Sequence, residues 1–237
     1  MSASIKQFAY YVSESFNEFK NNLKIYLIYV FSLCLVSIIQ NGFDLIFTKN
    51  EMMLRIASKI LFSVIPILIF SKILYVIKIR RSGLGEYGEV LWKFMLYNFY
   101  YFFLVAASAS LYFILVIILS AFIGMQLSFF ASAFMLAPMI YVMIFFSLSP
   151  FVAVFDDESS NEVFARSKKI SNRNISLVII NHLSSLLVPI IFSSLILIEN
   201  PVLKLSVAIL SSVPESIFSI LMILTTARIY QHLIDRE

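Results

Sequence analysis

Gly83, Gly85 and Gly88 spell the G-x-G-x-x-G of a dinucleotide site. That pattern binds pyrophosphate only where a strand precedes it and a helix follows, so that the phosphates meet a helix amino terminus. Here it follows a long apolar run and the basic residues Lys78, Arg80 and Arg81, which makes it a flexible cytoplasmic turn. His182 and His232 lie 50 residues apart, outside any H-E-x-x-H pair, so no metal site has local support. No serine stands in a nucleophile elbow, and there is no P-loop. Cys34, the single cysteine, sits in an apolar run and behaves as a small hydrophobe. No catalytic residue, cofactor-binding residue or metal ligand is therefore assigned, and no cofactor is expected.

Ionisable residues inside apolar runs are the next candidates, because a charge stranded in lipid costs several kcal/mol, roughly 3 or more. Lys72 lies near the end of its run and can extend its ammonium to the interface. Asp44 and Lys59 are close to the outer face and read the same way. Glu215 follows Pro214 near the middle of the last run. Two readings stand for it: a proton or ion site, or a polar packing residue partnered by His182 or Asn181. Glu215, His182 and Asn181 form the candidate intramembrane polar site.

The longest polar interruption, 149–174, reads SPFVAVFDDESSNEVFARSKKISNRN. Ser159 and Glu162 have the spacing of a capping box. Acidic residues gather at its amino end and basic ones at its carboxyl end, as the helix dipole favours. Glu162 and Arg166 are four apart, and Val163, Phe164 and Ile170 supply an apolar strip for the interface. The stretch is expected to be a short interfacial helix. Its cations Arg166, Lys168, Lys169 and Arg173 form a candidate surface for anionic lipid headgroups or a partner.

The elements that carry these residues are set by composition. Of 237 residues, 60% are hydrophobic and 14% charged, and the mean hydropathy is +0.92. Soluble domains carry roughly 25% charged residues. The surplus apolar surface needs lipid as its solvent. Six spans are expected, at 25–47, 56–77, 96–123, 127–155, 176–198 and 202–227. Each exceeds the roughly 20 residues that cross the hydrocarbon core. The first span reads as a retained anchor, being longer than a signal-peptide core. An amphipathic helix within 1–24 precedes it, and 228–237 reads as a cytoplasmic tail.

With the amino terminus inside, fourteen of the 18 lysines and arginines are cytoplasmic, leaving only Lys49, Arg55, Lys59 and Lys204 outside. Both termini are then cytoplasmic. The net charge of +4 belongs to this bias, and no basic stripe with interleaved aromatics points to nucleic acid. Tyr97 to Phe103 reads as an aromatic belt.

A weak internal repeat is present. Phe16 to Lys20, Glu89 to Lys93 and Glu162 to Arg166 share a pattern whose closing basic residues are 93 − 20 = 73 and 166 − 93 = 73 apart. Pro66, Pro138 and Pro214 fall one in each returning span. The working hypothesis is three parallel copies of one unit: interfacial helix, outward span, returning span.

Three places carry a family likeness. They are Tyr11 to Leu33 with Phe16, Phe19, Asn21 and Asn22, the run Leu148 to Val154 followed by Phe164-Ala165-Arg166-Ser167, and Ile209-Leu210-Ser211-Ser212 through Arg228-Ile229-Tyr230. In these the chain resembles the YciC family of bacterial inner-membrane proteins. The resemblance implies an inner-membrane location and about six helices, and it brings no catalytic residues.

The expected fold is an all-α polytopic bundle of six transmembrane helices with short cytoplasmic interfacial helices. The expected function is a non-enzymatic envelope component acting through protein partners or lipids. The alternative is a small transporter or permease subunit with a polar path near Glu215. Enzyme activity ranks third.

Overall fold

The computed structural model describes residues 3–46, 52–82, 85–124, 136–156, 160–194 and 201–234. These form nine helices in chain order and no strand: α1 (Ala3–Asn21), α2 (Leu23–Ile46), α3 (Met52–Ser82), α4 (Tyr87–Ile123), α5 (Leu136–Phe145), α6 (Ser149–Phe155), α7 (Ser160–Arg173), α8 (Ile175–Ser194) and α9 (Pro201–Ile234). Four stretches are long and apolar enough to cross a membrane: Leu23–Gly42, Tyr87–Ile123, Leu136–Phe155 and Ser206–Ile234. The spans expected at 56–77 and 176–198 are not among the four. They overlap α3 and α8, and both ranges include residues whose side chains are outside the described set; the described part of α8 holds the apolar stretch Ile175–Leu187.

The helices gather into two units, one of Met1–Leu91 with Ile180–Arg236, the other of Trp92–Ile179. In the first, α2 packs chiefly on α9, with α3 against both and α1 across their ends. Its core joins Phe19 of α1, then Tyr26, Val30, Leu33 and Cys34 of α2, to Ile69 and Ile73 of α3 and Ile220 and Leu224 of α9. The three- and four-residue steps keep each set on one helix face. In lipid the gain from such a seam is close packing, since hydrocarbon tails are as apolar as leucine. Residues 228–234 of the segment expected to be a cytoplasmic tail continue α9. There Ile229, Tyr230 and Leu233 are buried, and the His232 ring lies 5.3 Å from that of Tyr11 on α1.

The second unit breaks where the sequence places Pro150. α5 gives way to α6 through a turn at Phe146 to Leu148, and Pro150, which has no N–H to continue the α5 ladder, falls in the first turn of α6, where that N–H is not needed. Ser149 closes that turn, its amide and hydroxyl both donating to the Phe146 carbonyl at 3.0 and 2.7 Å. All of Ser149 to Val154 is buried, so the opening of the 149–174 stretch is core rather than polar loop. The apolar strip of α7 is likewise covered by protein. Val163 and Ile170 are buried, and the Phe164 ring lies 5.5 to 6.4 Å from those of Phe146, Tyr97 and Tyr100. Ser159 of the expected capping box, Asp157, Glu158 and the expected turn residues Met125 and Gln126 lie outside the described residues.

The two units share a local device. Asn22 separates α1 from α2, its Nδ2 donating to the Glu18 carbonyl at 3.0 Å while its own carbonyl accepts from the amides of Ile25 and Tyr26. Asn174 separates α7 from α8 in the same way, Nδ2 donating to the Ile170 carbonyl and the carbonyl accepting from Leu177 and Val178. Asn98 in α4 makes the same bond to Phe94, at 2.8 Å, without interrupting the helix. These asparagines are 98 − 22 = 76 and 174 − 98 = 76 residues apart. The buried residues Tyr11, Ser15 and Phe19 of α1 correspond to Val163, Ser167 and Ser171 of α7, each 152 residues on. The local likeness runs at a step of 76, three longer than the 73 expected from the basic residues.

That pairing separates two serines by chemistry. Ser167 Oγ donates to the Phe145 carbonyl at 2.8 Å, whereas Ser15 Oγ, equally buried, has no partner among the described residues. Ser167→Ala is expected to lose about 1 kcal/mol and Ser15→Ala to be neutral or slightly stabilising. Thermal unfolding of the two variants in one detergent checks the order.

Candidate functional site

α1 places Glu14 and Glu18 four residues apart, on the side of the helix that also buries Tyr11, Ser15 and Phe19. Two like charges at this spacing repel, so other elements must supply cations. Arg228 of α9 reaches both carboxylates, Nη1 to Glu14 Oε2 at 3.1 Å and Nη2 to Glu18 Oε2 at 2.7 Å. Arg80, near the end of α3, gives Nη1 to Glu18 Oε1 at 3.1 Å and Nη2 to Asn22 Oδ1 at 3.2 Å. The Tyr26 hydroxyl donates to the same Glu18 oxygen at 3.2 Å. Glu18 is thus the node joining α1 to three other helices, α2, α3 and α9, with its side chain 12% exposed. Around it opens a cavity of about 530 Å³, lined also by Asn17, Asn21, Gln231 and Ile77. Asn22, on its wall, immediately precedes the stretch Leu23–Gly42 that can cross a membrane.

A second, smaller cavity, about 240 Å³, lies within the same unit. Glu215, Ser216 and Ser219 line it from α9, Ser37, Gln40, Leu33 and Val36 from α2, and Pro66 and Phe70 from α3. The structure does not bring Asn181 and His182 to Glu215. Asn181 Nδ2 donates to Thr226 Oγ1 at 3.0 Å, and Thr226 is 226 − 215 = 11 residues further along α9, roughly 16 Å of helix. His182 lends its carbonyl to Ser185, and its Nε2 is buried without an acceptor among the described residues. The polar residues of another helix that share the cavity with Glu215 are Ser37 and Gln40 on α2, which the sequence reading did not connect with it.

The four cations of α7 divide. Arg166 is half-buried and its Nε meets Asp156 Oδ2 at 2.7 Å. Lys168 is exposed, its ammonium 5.6 Å from the centre of the Tyr141 ring, and Lys169 and Arg173 are exposed too. Lys72, expected to extend its ammonium to the interface, is half-buried with that ammonium over two rings, 4.9 Å from the centre of Tyr75 and 4.6 Å from that of Tyr87. Asp44 and Lys59 have side chains outside the described set. Gly85 lies in a turn with positive φ, and Gly88 falls in the first turn of α4. The segment before the glycines is the helix α3, so the strand that a dinucleotide site needs is missing there.

No family model, no curated protein and no solved structure matches the chain. What the site can do follows from its own side chains.

No group of three or more His, Cys, Asp or Glu capable of holding a metal occurs among the described residues. The larger cavity presents two guanidiniums and two carboxylates, each already committed to an opposite charge. Such an arrangement holds helices and recognises polar groups. The residues that build it, Glu14, Glu18, Arg80 and Arg228, were not singled out by sequence reading as a site. The one available signal was the acidic i, i+4 pair inside an otherwise basic amino-terminal helix.

Proposed function

We propose that this chain is a multi-pass component of the bacterial inner membrane, of the YciC type, with six spans and both termini cytoplasmic. It acts without catalysis, by holding protein partners or lipids at the cytoplasmic face. The observation that carries this reading is the charged cavity at the foot of α2, where an interfacial helix is fastened to three others by Glu18. The exposed cations Lys168, Lys169 and Arg173 of α7 offer the second unit a basic surface of its own. We also propose that the chain consists of three copies of one helical unit in a register of 76, on the strength of Asn22, Asn98 and Asn174. Affinity capture from membranes in mild detergent, with proteins and lipids both identified, tests the functional reading. Reproducible co-purification of defined partners or lipids is expected, and a chain that emerges alone and delipidated overturns it.

A transporter or permease subunit is the second reading, favoured by the cavity that reaches Glu215. It expects a Cys34→Ser, Glu215→Cys protein to react with a membrane-impermeant thiol reagent from at least one side. Protection from both sides, together with unchanged stability of Glu215→Gln, would leave Glu215 as a packing residue.

A further inference from the structure

We propose that the cavity bounded by Glu14, Glu18, Arg80 and Arg228 binds a phosphate–ammonium zwitterion of the phosphoethanolamine kind, presented by a membrane phospholipid. The inference rests on the reading that the chain acts through partners or lipids, and it names the ligand.

Charge decides the class. Two arginines and two glutamates line the cavity, so their formal charges cancel. A simple anion would meet two carboxylates and a simple cation two guanidiniums. A ligand carrying both charges a few atoms apart satisfies both pairs at once. Each guanidinium has five N–H donors, and Arg80 and Arg228 each spend two nitrogens on the contacts described. Side-chain exposure shows where capacity remains: 49% for Arg80 and 40% for Glu14, against 12% for Glu18. Arg80, paired with Glu18 but half exposed, is the arm with donors left for a phosphodiester oxygen, and Glu14, paired with Arg228 but 40% exposed, the carboxylate with room left for a primary ammonium. Glu18, held from three sides, fixes the two. Asn17, Asn21, Asn22 and Gln231 add amides that both donate and accept.

Position decides the source. The cavity sits beside Asn22, one residue before a stretch that crosses a membrane. That is the depth at which a bilayer carries its headgroups. Leu23, Ile25, Leu27 and Ile28 at the start of that stretch are exposed, giving acyl chains an apolar track away from the cavity. The volume, about 530 Å³, lies within the range of ligand sites and far exceeds a single ion or water.

The test uses the full chain in mild detergent, with bound lipid counted by native mass spectrometry. The probes are phosphatidylethanolamine, phosphatidylglycerol and soluble phosphoethanolamine. The wild type is expected to retain the ethanolamine lipid about tenfold better than the glycerol lipid, the scale of one charge-assisted hydrogen bond. Glu14→Gln leaves the cavity one unit positive and is expected to reverse the preference toward the anionic lipid. Arg80→Gln, the most exposed arm, is expected to weaken phosphatidylethanolamine and soluble phosphoethanolamine alike. Retention of lipid alone assigns the zwitterion to the bilayer, and equal retention of the soluble compound assigns it to a free metabolite. Equal affinity of the wild type for both lipids, or a Glu14→Gln protein with unchanged preference, overturns the inference. If defined protein partners are captured while lipid selectivity is absent, the inference fails and the broader function stands. A chain that emerges alone, with no lipid or partner, defeats both.

Discussion

Replacing Glu18 by alanine is expected to remove about 2–3 kcal/mol of stability, the largest loss from any single charged residue here. Its carboxylate accepts from Arg228 at 2.7 Å, from Arg80 at 3.1 Å and from the Tyr26 hydroxyl at 3.2 Å. Deleting a nearly buried partner strands the others, and that penalty exceeds what the same pairs would contribute at a surface. The figure stays below the roughly 3–5 kcal/mol of a fully buried pair because Arg228 and Arg80 keep 29% and 49% side-chain exposure. Arg228 would fall back on Glu14 and Arg80 on Asn22. Glu18→Gln keeps the shape and one acceptor, so about half the loss is expected. Arg80→Gln should cost less than about 1 kcal/mol. Equilibrium unfolding in mixed micelles gives the order Glu18→Ala, Glu18→Gln, Arg80→Gln. A Glu18→Ala protein as stable as Arg80→Gln would show that the three helices are not held through this residue. A double-mutant cycle with Arg228→Ala isolates the direct coupling.

Why Glu18 escaped the sequence reading is a matter of range. Its partners are 62 and 210 residues away, and no local pattern encodes a contact of that separation. What is encoded locally was legible. The alternation of three- and four-residue apolar steps marks α1, and the long apolar runs mark the stretches Leu23–Gly42, Tyr87–Ile123 and Ser206–Ile234. The boundaries that moved did so for tertiary reasons. Arg228 ended the expected last span because a cation normally marks the interface, yet it is matched by two carboxylates and the helix continues to Ile234. The α7 strip of Val163, Phe164 and Ile170 has the pattern of a membrane-surface helix, but hydropathy cannot tell whether lipid or protein covers an apolar face. Here the rings of Tyr97, Tyr100 and Phe146 lie against Phe164. Glu215 stands out in the sequence alone, whereas finding Ser37 and Gln40 of α2 in the same cavity required the fold. Charge does not follow the 76-residue spacing of Asn22, Asn98 and Asn174. Arg166 on α7 corresponds to Glu14 on α1, 166 − 14 = 152 residues apart, and their ion pairs have opposite polarity. The asparagine bond to a carbonyl four residues back is helix geometry, and Asn41 also makes it, to Ser37 at 2.8 Å, outside that spacing.

Ser212→Leu is expected to be the most damaging apolar substitution, at about 3 kcal/mol. Along α9 the residues Ala208, Ser212, Ser216, Ile220 and Leu224 recur every four positions, and all are buried. The first three are small, which lets two helices in lipid approach closely. The approach is visible in one contact: Cys34 Sγ of α2 lies 3.4 Å from the Ser212 backbone carbonyl and 3.4 Å from Ser216 Oγ. A leucine at position 212, 1% exposed in the wild type, has no room beside that thiol. Nothing offsets the strain, because burying leucine gains little when the alternative solvent is hydrocarbon. Ser212→Ala should be nearly neutral, since the hydroxyl donates within its own helix to the Ile209 carbonyl. Leu210→Ala, 75% exposed two positions away, sets the baseline for a lipid-facing change. Unfolding midpoints in matched micelles decide it, and a Ser212→Leu protein no weaker than Leu210→Ala would place α2 and α9 farther apart. The same substitution has a functional consequence. The α2–α9 seam leads at one end to Arg228 and Glu18 and flanks the Glu215 cavity through Leu33 and Ser216. Forcing it open should therefore lower zwitterionic lipid retention as well as stability, although position 212 lines neither cavity.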